Sequence, residues 1–305
     1  MVVGGSGFVG SHVADALAEA GHQVTIFDLR PYNALKPGQQ FCQGDMLNSQ
    51  DVEQALQGQG AVYNFAGLAD IEECQSRPVD TVAINVVGNA LLLEGARKAG
   101  VQRYVFASTI YVYSEAGGFY RASKQSCEAY IEEYQRQFGL DYTILRYGTL
   151  YGRRADDRNS VHRYLKQALL ERKIVCYGTG HELREYIHAE DAARASVEIL
   201  AAQFRNQYVI LTGHHPMKFR ELLGMIREIV GEDVGIEYRP PGSPTNDLKH
   251  SPHYNITPYS FRPRIGKKLV SHYYLDMGQG LLDCLEEIYA ERMASGNESP
   301  RSKDA

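Results

Sequence analysis

Tyr120 and Lys124 stand four residues apart in "FYRASK", with Ser108-Thr109 a short way upstream. On a helix that spacing puts both side chains on one face. A phenol with a free pKa near 10 is a poor base at neutral pH. An ammonium beside it favours the phenolate over the phenol, so the Tyr120 pKa is expected to shift downward. The chain holds a second match, Tyr32 and Lys36, but Pro37-Gly38 follows it directly and rules out a stable helix. Tyr120 opens a long helical pattern instead, and Thr109 ends a strand pattern, where ligands bind in open parallel sheets.

A second group of residues suits phosphate binding. "VVGGSGFVGSH" sets Gly4, Gly7 and Gly10 at three-residue steps, and Gly5, Gly7 and Gly10 also fit G-x-G-x-x-G. Glycines permit a tight turn and close approach of backbone to a pyrophosphate, and a helix starting near Phe8 would aim its free N–H groups at that anion. The strand pattern Val24–Phe27 ends in Asp28, where an acid would hold ribose hydroxyls. These features indicate dinucleotide binding. The charge of Asp28 favours NAD by repelling a 2′-phosphate, and Arg30 leaves NADP open. Only Met1–Val3 precede the loop, so the first strand is short or the chain start is clipped.

These residues need a scaffold of alternating strands and helices. Strands are expected at Val24–Asp28, Ala61–Phe65, Arg103–Ala107 and Tyr142–Arg146, and helices at Gly7–Ala20, Val79–Ala99 and Phe119–Phe138. Such alternation predicts an α/β fold, a doubly wound parallel sheet of Rossmann type. Beyond Gly152 the pattern loosens into the charged loop "RRADDRNS" and a proline- and tyrosine-rich stretch from 239 to 263. Helices are still expected at Glu190–Ala202, Met217–Val230 and Gly278–Met293. The division expected is a dinucleotide-binding domain at 1–151, to which 186–211 returns. Residues 152–185 and 212–293 form a smaller substrate lobe, and 294–305 a disordered tail.

Composition excludes several classes. The 305 residues are 44% hydrophobic, enough for a large core. A net charge of -5 with scattered lysines and arginines gives no basic field for nucleic acid or an anionic membrane. The five cysteines, at 42, 74, 127, 176 and 284, are odd in number and never in a C-x-x-C pair. They read as reduced thiols of a cytoplasmic protein, with no disulfide frame and no metal site. No apolar run approaches the ~18 residues of a membrane span, and "MVVGGSG" is not a signal peptide.

The motifs occur in a telling order: Gly4/Gly7/Gly10, Asp28, "GDM" at Gly44–Met46, "NFAGLA" at Asn64–Ala69, Asn85, Ser108-Thr109, Tyr120–Lys124, "LRYGTLYG" at Leu145–Gly152 and "REYIHAEDAARA" at Arg184–Ala195. Together they resemble the extended short-chain dehydrogenase/reductases, the nucleotide-sugar epimerase and dehydratase group, over about residues 2–200. The resemblance implies an NAD-dependent enzyme acting on a nucleotide-diphosphate sugar, and a homodimer paired through Val79–Ala99 and Phe119–Phe138, which carry more apolar surface than one sheet face needs. It implies Tyr120 as acid/base, Lys124 as its partner and the holder of the nicotinamide ribose, and Thr109 as hydrogen-bond partner of the reacting substrate oxygen. Asp45 and Met46 would contact adenine, and Phe8, Val9, Ala66 and Tyr147 would also line the cofactor. Asn85, Thr149 and Arg184 would meet the substrate, with Arg184 on its diphosphate.

Departures from the family pattern select among its reactions. The 4,6-dehydratases carry an Asp-Glu pair after the catalytic threonine, where this chain has Ile110 and Tyr111. Without those acids a 4-epimerase is the expected activity, with keto-sugar reductase or dehydrogenase second and dehydratase third. A non-catalytic dinucleotide sensor is the alternative of another class. Thr149 stands where many relatives have asparagine, and Ala69 where some 4-epimerases have lysine. The segment from Thr109 to Tyr120 is short for the family, so the sugar site is more open or takes a larger sugar. Tyr111 and Tyr113 read as wall or packing residues, His188 as structural and Asp191 as the cap of the next helix. "YNITPYSF" at Tyr254–Phe261 lines the sugar pocket or simply packs.

Overall fold

The computed structural model describes residues 1–114, 116–239 and 266–294. The stretch Tyr254–Phe261 and the tail beyond 294 lie outside the described residues. In chain order the elements of the first half are β1 (Val2–Val3), α1 (Phe8–Glu19), β2 (Val24–Asp28), β3 (Gln39–Gln43), α2 (Ser49–Ala55), β4 (Ala61–Asn64), α3 (Ile71–Ser76), α4 (Pro78–Thr81), α5 (Gly88–Lys98), β5 (Arg103–Thr109), α6 (Gly118–Phe138) and β6 (Tyr142–Tyr147). The second half holds β7 (Thr149–Tyr151), α7 (Ser160–Glu171), β8 (Lys173–Tyr177), β9 (Leu183–His188), α8 (Ala189–Glu198), β10 (Gln207–Leu211), β11 (Pro216–Lys218), α9 (Phe219–Val230), β12 (Gly235–Arg239), β13 (Lys267–Lys268) and α10 (Met277–Ala294).

Eight strands form one sheet in the order β13-β10-β6-β5-β4-β1-β2-β3, every neighbouring pair parallel. The chain starts in the middle, winds outward through β2 and β3, then returns to β4 on the other side. That reversal between β1 and β4 opens a crevice at the carboxyl ends of the strands, where ligands bind in such sheets. β1 needs only two residues because both are buried and each is paired on two sides, Val2 to Ile26 and Tyr63, Val3 to Phe27 and Asn64. Apolar side chains fill both faces, with α2, α5 and α6 over one core and α1 and α8 over the other. This is the doubly wound parallel sheet expected.

The smaller lobe has its own core, built from α7, α9 and α10 around Leu165, Leu222, Ile226 and Leu281. Its strands make two small sheets, β11-β9-β7 and β12-β8. Lys267–Lys268, expected in that lobe, instead adds an edge strand to the main sheet beside β10.

The expected single helix Val79–Ala99 is broken. Pro78 starts α4, residues Val82–Val87 wind as a wider π turn, and α5 follows. The π turn brings Asn85 inward, where its amide bonds both the Leu68 backbone and Ser123. By length and mean composition Pro78–Lys98 is apolar enough to cross a membrane, a test that core helices also pass. Here it packs on α6, with Asn85 and Asn89 buried. The expectation that no stretch approaches that length is therefore corrected. Asp191 does not cap α8: His188 does, its ring accepting from the Glu190 N–H, while Asp191 holds Arg194 and the Leu275 N–H. All five cysteines are free thiols.

Candidate active site

A cavity of about 1200 Å³ runs along the crevice and continues beneath the smaller lobe. At one end lies the glycine loop. Gly4 has φ 75°, a left-handed conformation that suits glycine. A Cβ on Gly10 would lie 2.3 Å from the Gly4 carbonyl oxygen, and one on Gly4 would lie 2.6 Å from Ala66 N. The turn therefore closes only with glycine at both places. Gly7 caps α1 without a side chain, and no acidic residue occupies the helix's first turn. Its first N–H groups thus face the cavity beside Phe8, Val9 and Gly10 with nothing to repel an anion. Asp28, at the end of β2, is held by two backbone N–H groups, those of Ser6 and Arg30, each at 3.0 Å. Asp45, Met46 and Ala66 continue the same wall. This cradle, with an acid on the next strand, fits a dinucleotide.

The middle of the cavity holds the hydroxyls and the lysine. Thr109 ends β5 and Tyr120 lies in the first turn of α6; their side chains are hydrogen-bond partners. Lys124, one turn further on, is buried and donates to the Ala107 carbonyl at 2.8 Å. Its ammonium lies 4.7 Å from the Phe106 ring centroid and 5.8 Å from that of Tyr120.

This arrangement corrects one expectation. Burial pushes Tyr120 up to about 12, with the Thr109 hydrogen bond opposing and Cys74 adding to the rise. Burial likewise pulls Lys124 down, against the charges of Cys127, Cys74 and Glu128. Desolvation therefore sets the direction of the Tyr120 shift, which is upward and not the downward one expected from Lys124.

The other predicted residues are placed as follows. Tyr147 turns its ring to the cavity but its hydroxyl away, bonded to Ser196 at 2.6 Å. Thr149 and Arg184 line the far half, Arg184 on β9. Gly7 and Asn85 are not on the cavity wall. Asn85, expected against the substrate, sits behind it: its amide accepts from Leu68 N at 2.7 Å and donates to Leu68 O and to Ser123, each at 3.0 Å. Tyr111 lines the cavity edge-on to Tyr120, ring centroids 6.4 Å apart. Tyr113 packs against Arg146.

Sequence reading missed the rim. Asp70 and Glu72 of the α3 start lie on one side, Arg158 and Arg163 of the smaller lobe on the other. Arg158 pairs with Asp156 and feels the charges of Glu73 and Asp70 across the gap. No spacing marks these residues, since they meet only when the lobes pack. Glu128 and Arg146 were missed too, although a lone arginine in the apolar run "YTILRY" was a usable signal.

The fold and site define a dinucleotide-binding α/β protein with a tyrosine–lysine pair beside its cofactor cradle. The sequence model of the NAD dependent epimerase/dehydratase family matches residues 1–210. A UDP-glucose 4-epimerase of Corynebacterium glutamicum is 30% identical over 79% of this chain and 83% of its own length. A putative UDP-glucose 4-epimerase of Methanocaldococcus jannaschii is 28% identical over 76% and 82%. A dTDP-glucose 4,6-dehydratase of Streptomyces venezuelae, solved as a double mutant with NAD bound, superposes with a TM-score of 0.79 at 22% identity, over 97% of this chain and 99% of that one. The chain belongs to the NAD-dependent epimerase/dehydratase family.

Proposed function

We propose that this protein is an NAD-dependent nucleotide-sugar 4-epimerase that works through a transient keto-sugar. The observation that carries the reading is the meeting of Thr109, Tyr120 and Lys124 in one cavity with the glycine cradle, while Ile110 and Tyr111 leave the next two positions without an acid. Bound NAD supplies the hydride acceptor and brings positive charge beside the phenol. Tyr120 takes the proton of the sugar hydroxyl and Thr109 holds that oxygen. Lys124 holds the nicotinamide ribose and keeps positive charge under the site. Gly4, Phe8, Val9 and Gly10 take the pyrophosphate, with Gly7 shaping the turn behind them, Asp28 takes the adenosine ribose, and Asp45, Met46, Ala66 and Tyr147 take the rest of the cofactor. Thr149 and Arg184 face the substrate diphosphate, with residues 152–185 and 212–293 as the substrate lobe and 1–151 with 186–211 as the cofactor domain.

The protein works in the cytoplasm as a homodimer. Val79, Val82 and Val87 of the Pro78–Lys98 segment and Phe119, Tyr130 and Phe138 of α6 are exposed apolar residues on neighbouring elements, which supports a self-association face. Light scattering at micromolar concentration checks it, and a monomer would overturn it.

The decisive experiment incubates the protein with UDP-, GDP-, dTDP- and CDP-sugars and follows them by NMR, with cofactor release measured alongside. A C4 epimer with no net redox change is expected. A 4-keto-6-deoxy product would make the protein a dehydratase. Stoichiometric NADH would make it a dehydrogenase, and an unchanged panel would favour a non-catalytic dinucleotide sensor.

A further inference from the structure

Behind the reacting groups lies a buried ion pair with no contact to the cavity. Glu128 of α6 and Arg146 of β6 meet at 2.7 Å, each side chain only 3% exposed. The carboxylate is shared. Arg146 Nε donates to its Oε1 at 3.0 Å, and Ser108 Oγ donates to the same oxygen at 2.6 Å. Ser108 and Arg146 are register partners across β5 and β6, so both point at α6 from one level of the sheet. Glu128 lies two helical turns past Tyr120 and one past Lys124.

The guanidinium is held on its other sides as well. It stacks between the rings of Tyr113 and Tyr208, with centroids at 4.5 and 4.3 Å, and donates to the Tyr113 hydroxyl. That hydroxyl also accepts from the Gly266 N–H at 3.0 Å. Tyr113 closes the 3₁₀ turn Ile110–Tyr113, which carries Tyr111 into the cavity. One ion pair thus ties together the strand end that bears Thr109, the helix that bears Tyr120 and Lys124, and the short turn between them.

Burying such a pair is expensive, and well-packed apolar residues often stabilise a fold equally well. Its arrangement here matches a geometric role better than a stability role. We propose that Glu128 and Arg146 are positioning residues of the reaction: they hold Ser108 and the Ile110–Tyr113 turn so that Thr109 meets the Tyr120 hydroxyl. The inference rests on the reading of Tyr120 as the acid/base. The segment between Thr109 and Tyr120 is also held from α6, by Gln125 on the Val112 carbonyl and Arg121 on the Ser114 carbonyl, and the pair adds the buried anchor at Tyr113. Small misplacements of reacting groups cost about 10²-fold, which sets the expected effect.

The test uses Glu128→Gln and the double variant Glu128→Met/Arg146→Met, each with NAD bound. The wild type is first assayed with the sugar-nucleotide panel. Both variants should lose about 10²-fold in kcat while KM and NAD content stay within about twofold. The double variant should melt close to the wild type. A second readout does not depend on the sugar. With ¹³C-labelled tyrosine, and Tyr120→Phe to assign the signal, the Tyr120 titration midpoint should rise by about one unit as the Thr109 bond weakens. A variant with kcat within about threefold of wild type and an unmoved midpoint would overturn the proposal. If the wild type converts no sugar, the functional reading fails, and the tyrosine titration alone judges the pair. If the double variant does not fold, Glu128→Gln decides.

Discussion

The protein contains two tyrosine–lysine pairs at the same spacing, and they have opposite fates. Tyr32 and Lys36 lie in the irregular stretch between β2 and β3. Lys36, 41% exposed, reaches Glu19 at 2.8 Å and Asp15 at 3.2 Å, and those carboxylates raise its pKa. Lys124 is buried against a backbone carbonyl and an aromatic ring, and burial lowers its pKa. One lysine is stabilised as a cation by neighbouring acids, and the other lies where burial disfavours the charge. Identical spacing thus gives a surface tether in one region and a phenol and ammonium on the cavity wall in the other. What separates them is the helix beneath Tyr120 and the sheet edge facing it.

The largest expected effects come from the Tyr120–Lys124 pair. Tyr120→Phe removes the proposed proton carrier and keeps the ring, so turnover should fall about 10²–10⁴-fold with NAD affinity nearly intact. Steady-state turnover and cofactor titration check this. Lys124→Met should lower both turnover and NAD affinity, each by at least about tenfold, if the lysine has the two proposed roles. If either variant matched the corresponding change at Tyr32 or Lys36, the contrast between the regions would collapse.

A pH series sharpens the comparison through opposite signs. The folded pKa of Lys124 lies below 10.5, so between the two values the unfolded chain binds the extra proton. Stability then rises with pH across that window, because the penalty for a buried ammonium is removed. Turnover should fall over the same window as the ammonium is lost. The folded pKa of Lys36 lies above 10.5, so its contribution is present below 10.5 and is lost as pH rises through the folded value. Denaturant melts of wild type, Lys124→Met and Lys36→Met at alkaline pH should show the two variants deviating in opposite directions. The phenol gives a companion test. Without NAD, Tyr120 should titrate at about 12, and NAD should bring it down. A midpoint near neutrality without cofactor would show that Lys124 alone suffices.

Smaller effects are expected at the wall. Tyr111→Phe and Tyr113→Phe should each change turnover less than about tenfold, because the Tyr111 ring still meets Tyr120 and the Tyr113 ring still stacks on Arg146. A dead Tyr111→Phe with an active Tyr120→Phe would move the reacting phenol to the turn. The smallest effect is expected at Lys36: Lys36→Met should shift stability at neutral pH by no more than about 1 kcal/mol, the range of surface ion pairs.

Much of this was readable along the chain because it depends on local spacing. Glycine steps, an acid at the end of the next strand, strand–helix alternation and the helical Tyr120–Lys124 pair each need only a few neighbouring residues, so Gly4, Asp28 and Thr109 were found without coordinates. Three features were decided by the tertiary structure. Asn85 turned from the substrate to the loop behind it, because a π turn and two distant partners capture its amide. The Asp70, Glu72, Arg158 and Arg163 rim arises where two lobes pack, which no spacing encodes. The direction of the Tyr120 shift was set by burial, and burial is a sum over the whole fold. Sequence names the groups near one another along the chain; the dielectric around them and the partners that compete for them exist only after the sheet, the helices and the second lobe have closed together.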